Sequence, residues 1–151
     1  MKLFGHPVHP LMIHFPTALL PMDLALSIMD YHYGDHSFSL AGFYCLVGGS
    51  VIGLLAMISG LIDLLAIPRS NKQALVAALY HAFINGTIIL AYCVITFRSW
   101  QRFPQLEADA TTIAVRAFLI ASLFAGNYWG GKLIYSHHIG IDLKNKNENN
   151  L

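Results

Sequence analysis

Residues 40–67 read LAGFYCLVGGSVIGLLAMISGLIDLLAI, an apolar run whose sole charged side chain is Asp63. At about 1.5 Å per residue such a run makes a helix about 42 Å long, enough for a hydrocarbon core of about 30 Å plus both interfaces. Pro68 ends it, because proline lacks the N–H and the space to continue. Three further runs lie on either side, at residues 11–29, 74–97 and 111–135, each near the roughly 20 residues that crossing a bilayer requires. The chain therefore reads as all-α: an integral membrane four-helix bundle running up-down-up-down, one domain over residues 1–142. Residues 143–151 (LKNKNENNL) are polar enough to read as a disordered tail.

Composition agrees. Of 151 residues, 56% are hydrophobic and 11% charged, where a soluble domain carries about 25% charged residues, so most of the surface must meet lipid. A net charge of +1, with no basic run interleaved with aromatics, argues against nucleic-acid binding. Cys45 and Cys93 sit in apolar runs outside any CxxC or CxxCH pattern, which signals neither a zinc knuckle nor covalent haem attachment. The first apolar run is punctuated by Pro16, Pro21 and Asp23 and follows no basic leader, so it reads as a retained helix.

Four spans put both termini on one side, together with the loop at residues 68–73. That side holds Lys2, Arg69, Lys72, Lys132, Lys144 and Lys146; the other holds Arg98, Arg102 and Arg116, diluted by Asp30, Asp35, Glu107 and Asp109. The excess of positive charge makes the terminal side cytoplasmic, in the inner (cytoplasmic) membrane.

Inside the runs, polar side chains are costly and are expected to face one another. In the second run Gly49, Gly53, Ala56, Gly60 and Asp63 fall at spacings of 4, 3, 4 and 3, a seam of small residues ending in a carboxylate. Gly126, Gly130 and His137 repeat the pattern in the fourth. On the terminal side lie His9, His14, Asp63, His81, His137 and His138, while His32 and His36 lie opposite. Pro7 and Pro10 bias His6 and His9 toward extended backbone. Asn85 follows His81 by one helical turn, a hydrogen-bonding partner beneath the imidazole, and Tyr92 continues that stripe. Asp23 and Arg116 fall at similar depth and are expected to form a structural ion pair. Pro16 and Pro21 deprive the carbonyls of Met12 and Thr17 of helix partners, predicting a kink in the first helix.

The segments GHPVHPLMIHFP (5–16), SGLIDLLAIPR (59–69), ALYHAFIN (78–85) and GNYWGGKLIYSHHIGI (126–141) resemble the bacterial family of predicted membrane proteins called domain of unknown function 2231. The resemblance covers nearly the whole chain. It implies four spanning helices, with His9, His14, Asp63, His81 and His137 as the family's polar pattern and Gly130, Gly131 and Tyr135 around the last of them. His138 stands where the pattern has glycine, which adds a ligand candidate and leaves open whether His137 or His138 faces inward. Members of similar sequence joined to Rieske-type or cytochrome-type modules imply a redox setting.

Two functions follow from these residues. One is a membrane redox subunit binding haem b, with an axial pair drawn from His14, His81 and His137, in a bundle whose glycine seams leave room for the macrocycle. It would serve electron transport, as a component of an oxidoreductase if it takes part in an enzyme. The other is a non-haem site for zinc, iron or copper, with ligands from His9, His14, Asp63, His81, His137 and His138. A structural subunit is the third reading. The partners expected are the lipid bilayer and either a redox protein or a second copy of the chain.

Overall fold

A computed structural model describes residues 2–3 and 6–136. Lys2–Leu3 (β1) and His6–Pro7 (β2) form a two-residue antiparallel pair that leads into the first helix. The helices are α1 (Val8–Met12), α2 (His14–Tyr33), α3 (Ser37–Leu65), α4 (Lys72–Arg102) and α5 (Ala110–Tyr135). Helices α1 and α2 together make one span, Val8–Tyr33, so four segments are long and apolar enough to cross a membrane. Helix α2 packs on α3 and α5, α3 on α4, and α4 on α5, which closes the four spans into an up-down-up-down ring. His137, His138 and the tail expected at residues 143–151 lie outside the described residues.

Each span follows from the cost of an unsatisfied backbone group in hydrocarbon, which a helix avoids by bonding within itself. The observed helices outrun the apolar runs because their last turns reach the interface, where charged residues such as Lys72 and Arg102 are tolerated. The first span departs most from expectation. It begins at Val8 rather than at residue 11, and His9 is helical rather than extended. Pro10 falls in the first turn, where its missing N–H would have had no helix partner in any case. His9 is further held by its side chain, whose Nδ1 lies 2.8 Å from the carbonyl oxygen of Ala56. The break at Ile13 adjoins Met12, the residue whose carbonyl Pro16 cannot serve, whereas Pro21 sits within α2 without interrupting it.

The distribution of side chains is that of a membrane protein. Leu65, Phe83 and Phe118 are each more than 70% exposed, while Asp23, Ser27, Asp30, Ser50, Ser59 and Arg116 are buried. Lipid tails are as apolar as leucine, so packing and polar contacts rather than water exclusion hold such a bundle together. The main core cluster gathers Leu20, Leu46, Ile88, Ile89, Tyr92, Ile120 and Leu123, and a smaller one gathers Ile67, Ala74 and Ala78. Glycine makes room for it: a Cβ on Gly49 would stand 2.7 Å from Leu20 Cδ2, and one on Gly53 would stand 2.7 Å from Ile89 Cδ1.

Outside the spans, Asp109 caps α5. Its Oδ1 accepts from Thr112 N at 2.9 Å and its Oδ2 from the Thr112 hydroxyl at 2.6 Å, and these bonds hold its carboxyl below the usual carboxylate range. Because the folded-state value is the lower one, the stabilisation is present above about pH 4 and is lost as pH falls through the depressed value. Asp109→Ala should speed amide exchange in the first turn of α5 by about fivefold at a fixed pH near 6, leaving the rest of the helix unchanged. Equal exchange rates in the two proteins would remove the cap from the account of this helix.

Candidate functional site

At the terminal end of the bundle the sequence builds flat slots and fills them with polar side chains. His81 and Asn85, one turn apart on α4, face Gly130 and Gly126, one turn apart on α5. A Cβ on Gly130 would stand 2.7 Å from His81 Cε1, and one on Gly126 would stand 2.6 Å from Asn85 Oδ1. On the other side of the bundle, His9 lies over Gly60 of α3, where a Cβ would stand 2.8 Å from its Cε1. The small-residue seams therefore accept particular side chains. They do not bring bare backbones together, and they do not leave open slots.

His9 and His81 meet edge to face, with ring centroids 6.0 Å apart and planes at 88°. Each ring is fixed by a backbone carbonyl through Nδ1: His9 to Ala56 at 2.8 Å and His81 to Gly126 at 3.0 Å. A carbonyl oxygen only accepts, so Nδ1 carries the proton in both rings and Nε2 keeps its lone pair. This is the tautomer and the anchoring found in metal-ligating histidines, where the second nitrogen is held by a carbonyl or carboxylate. The Asn85 amide nitrogen lies 3.0 Å from His81 Nδ1, and Asn85 Oδ1 has no hydrogen-bond partner among the described residues. A half-turn of the amide, an exchange of near-isosteric atoms, brings Oδ1 to accept from the His81 N–H. Asn85 is thus a second brace for the imidazole.

The other expected residues are distributed as follows. His14 is exposed and does not join His9 and His81. Five helical residues turn the chain by about 140° beyond a full turn, so with His9 facing inward His14 must face out. Asp63 is half-buried, three residues past Gly60 on α3, and is not a free carboxylate. Tyr135 is 81% exposed at the end of α5, away from the bundle core. Among the described residues, no three His, Cys, Asp or Glu side chains gather closely enough to hold a metal ion.

A second polar centre occupies mid-span. Arg116 Nη1 lies 3.4 Å from Asp23 Oδ1 and donates to the Ser27 hydroxyl, which in turn donates to the Asp23 carbonyl at 2.8 Å. Gly42 gives the carboxylate its space, since a Cβ there would stand 3.3 Å from Asp23 Oδ1. The third centre was not anticipated. Asp30, 2% exposed, accepts from Ser39 Oγ at 2.7 Å and Ala108 N at 2.9 Å, and its Oδ1 lies 3.0 Å from His36 Nδ1. It ties the end of α2 to the start of α3 and to the loop before α5. The signal was the spacing of Asp23, Ser27 and Asp30, 4 and 3 residues apart, which is a polar stripe on the inner face of the first span.

Asp30→Ala removes the acceptor for all three groups and leaves the Ala108 N–H and the Ser39 hydroxyl without it, a loss of about 2–3 kcal/mol. The expected readout is early protease cutting in the loop before α5. Unchanged cutting and unchanged melting would show that these bonds are dispensable.

Fold and polar centres together define a four-span membrane protein with paired, braced histidines at one end. The chain belongs to the family described as predicted membrane protein (DUF2231), whose family model matches residues 5–143. No curated protein and no solved structure matches the chain.

Proposed function

We propose that this protein is a membrane-embedded metal-binding protein in which His9 and His81 present their Nε2 atoms to one first-row transition-metal ion. The observation that carries this reading is the pair of Nδ1-anchored rings 6.0 Å apart, each with a lone pair left on Nε2. Two imidazoles bound to one ion at about 2.0–2.1 Å per bond have centroids roughly 5–6 Å apart, so small ring movements suffice. Asp63 lies on the adjoining face of α3, and His137 or His138 follows α5; imidazole with carboxylate suits zinc, iron or copper. The fixed tautomers save the reorientation that a free histidine would need before binding.

Haem b on the same pair is the second reading, because axial imidazoles on one iron require a similar separation. The flat macrocycle would need a slot among the helices, and at Gly60, Gly126 and Gly130 that space holds His9, Asn85 and His81. A bound ion asks for less rearrangement and stands first.

The test is elemental analysis beside an absorption spectrum on protein purified in detergent after growth with each metal. About one metal per chain without a Soret band is expected, lost in His81→Ala and His9→Ala and kept in His32→Ala and His36→Ala. Iron with a Soret band would replace the ion by haem, and retention of metal by His81→Ala would remove the site. The excess of lysine and arginine on the terminal side supports an inner-membrane protein with both termini in the cytoplasm. Reporter fusions at residue 151 should be active only for a cytoplasmic reporter; a periplasmic signal would invert the protein.

A further inference from the structure

The outer surface where α4 begins and α5 ends carries a groove with a different chemistry. It is lined by Lys72, Gln73, Val76, Ala77, Trp129 and Lys132, and among the described residues no acidic side chain joins them. Lys132 Nζ stands 5.2 Å above the Trp129 ring, and Trp129 stacks on Tyr80 at 5.5 Å with planes 29° apart. A second, apolar groove lined by Val76, Leu79, Tyr80 and Phe83 shares Val76 with the first and continues it along α4. Lys72 is the first residue of α4 and Lys132 lies in the last turn of α5, so both lysines lie at the membrane surface. Phe83 is 11 residues further along, about 16 Å at the helical rise, which is close to the depth of one leaflet's hydrocarbon.

We propose that this continuous groove seats one anionic phospholipid, with its phosphate between Lys72 and Lys132 and one acyl chain along Val76, Leu79 and Phe83. Charge selects the headgroup: two lysines, with no carboxylate beside them among the described residues, favour a net negative lipid over a zwitterionic one. Depth selects a lipid over a soluble phosphate, because the apolar groove runs one leaflet deep from the two lysines. The stacked Tyr80 and Trp129 wall the groove between the charged lysines and Phe83.

Native mass spectrometry of the detergent-solubilised protein with added phosphatidylglycerol or phosphatidylcholine tests this. Phosphatidylglycerol should be retained about tenfold better, and Lys72→Glu with Lys132→Glu should abolish the preference while Lys72→Arg with Lys132→Arg keeps it. Equal retention of the two lipids, or a preference that survives charge reversal, would overturn the seat. So would glycerol 3-phosphate binding as tightly as the lipid, since that would make the groove a soluble-phosphate site. A measurement on the unaltered groove guards against misfolded variants: in Trp100→Phe, brominated phosphatidylglycerol should quench Trp129 more strongly than brominated phosphatidylcholine. Equal quenching would likewise overturn it.

Discussion

Arg116→Met alone should destabilise the bundle by about 3–5 kcal/mol, and adding Asp23→Leu should restore most of that loss or exceed it. Asp23 lies near the middle of the span Val8–Tyr33 and is 1% exposed, while Arg116 is 8% exposed. Removing the guanidinium strands a carboxylate that is 1% exposed, and a buried unpaired ionisable group is among the costliest defects. Yet the native pair is imperfectly satisfied. One contact at 3.4 Å joins the two side chains, and Asp23 Oδ2 and Arg116 Nε have no hydrogen-bond partner among the described residues. Desolvation of both charges is thus poorly offset, the circumstance in which apolar replacement of the whole pair is neutral or stabilising. Gly42 and Ser27 bear on the same point, since they supply space and one hydroxyl but no second counter-charge. Thermal melting in detergent of the wild type, both single variants and the double variant would measure the cycle. A melting temperature for Arg116→Met equal to wild type would refute it, as would a double variant no better than the single.

The same residues show what a sequence of this kind discloses. Four apolar runs became four spanning helices because lipid leaves the backbone no other economical choice, so length and composition sufficed. Asp23 with Arg116 was legible for a related reason: two lone opposite charges at similar depth have little else to pair with. His81 with Asn85 was legible from the spacing of one helical turn. The partner of His81 was not. His9 and His14 point in directions about 140° apart, and which one faces inward depends on how far the helix extends past Pro10, which residue preference before a proline argues against. The tertiary bond from His9 to Ala56 decided it, 47 residues away in sequence. Asp30 was hidden more deeply, because one of its donors is a backbone N–H 78 residues later, and a backbone donor leaves no mark in the sequence. The glycine seams were visible as spacing, but their occupants were not: Leu20, Ile89 and His9 come from three different directions onto one face of α3.

Gly130→Ala should cost about 1–3 kcal/mol and release the metal, whereas Gly131→Ala, one residue away, should do neither. A methyl on Gly130 would stand 2.7 Å from His81 Cε1 and 2.8 Å from Nδ1, so the imidazole must move or α4 must part from α5. Either response breaks the bond of His81 Nδ1 to Gly126 O and shifts the ring from its edge-to-face contact with His9. On Gly131 the added methyl would meet nothing nearer than Tyr135 Cδ2 at 4.0 Å, ordinary contact, and alanine's better helix propensity makes that variant neutral or slightly more stable. The pair of variants separates a steric effect at the histidine from a general intolerance of α5 to bulk. A further variant separates stability from function. Gly130→Ala with His81→Ala removes the ring that the methyl strikes, so it should recover stability relative to Gly130→Ala while remaining without metal. The non-additivity measures the contact itself, because the methyl and the ring are the groups that would meet. Melting curves and metal content of the four proteins are the readout. Full metal content in Gly130→Ala, or a double variant as unstable as the sum of the singles, would show that His81 does not depend on the slot that Gly130 provides.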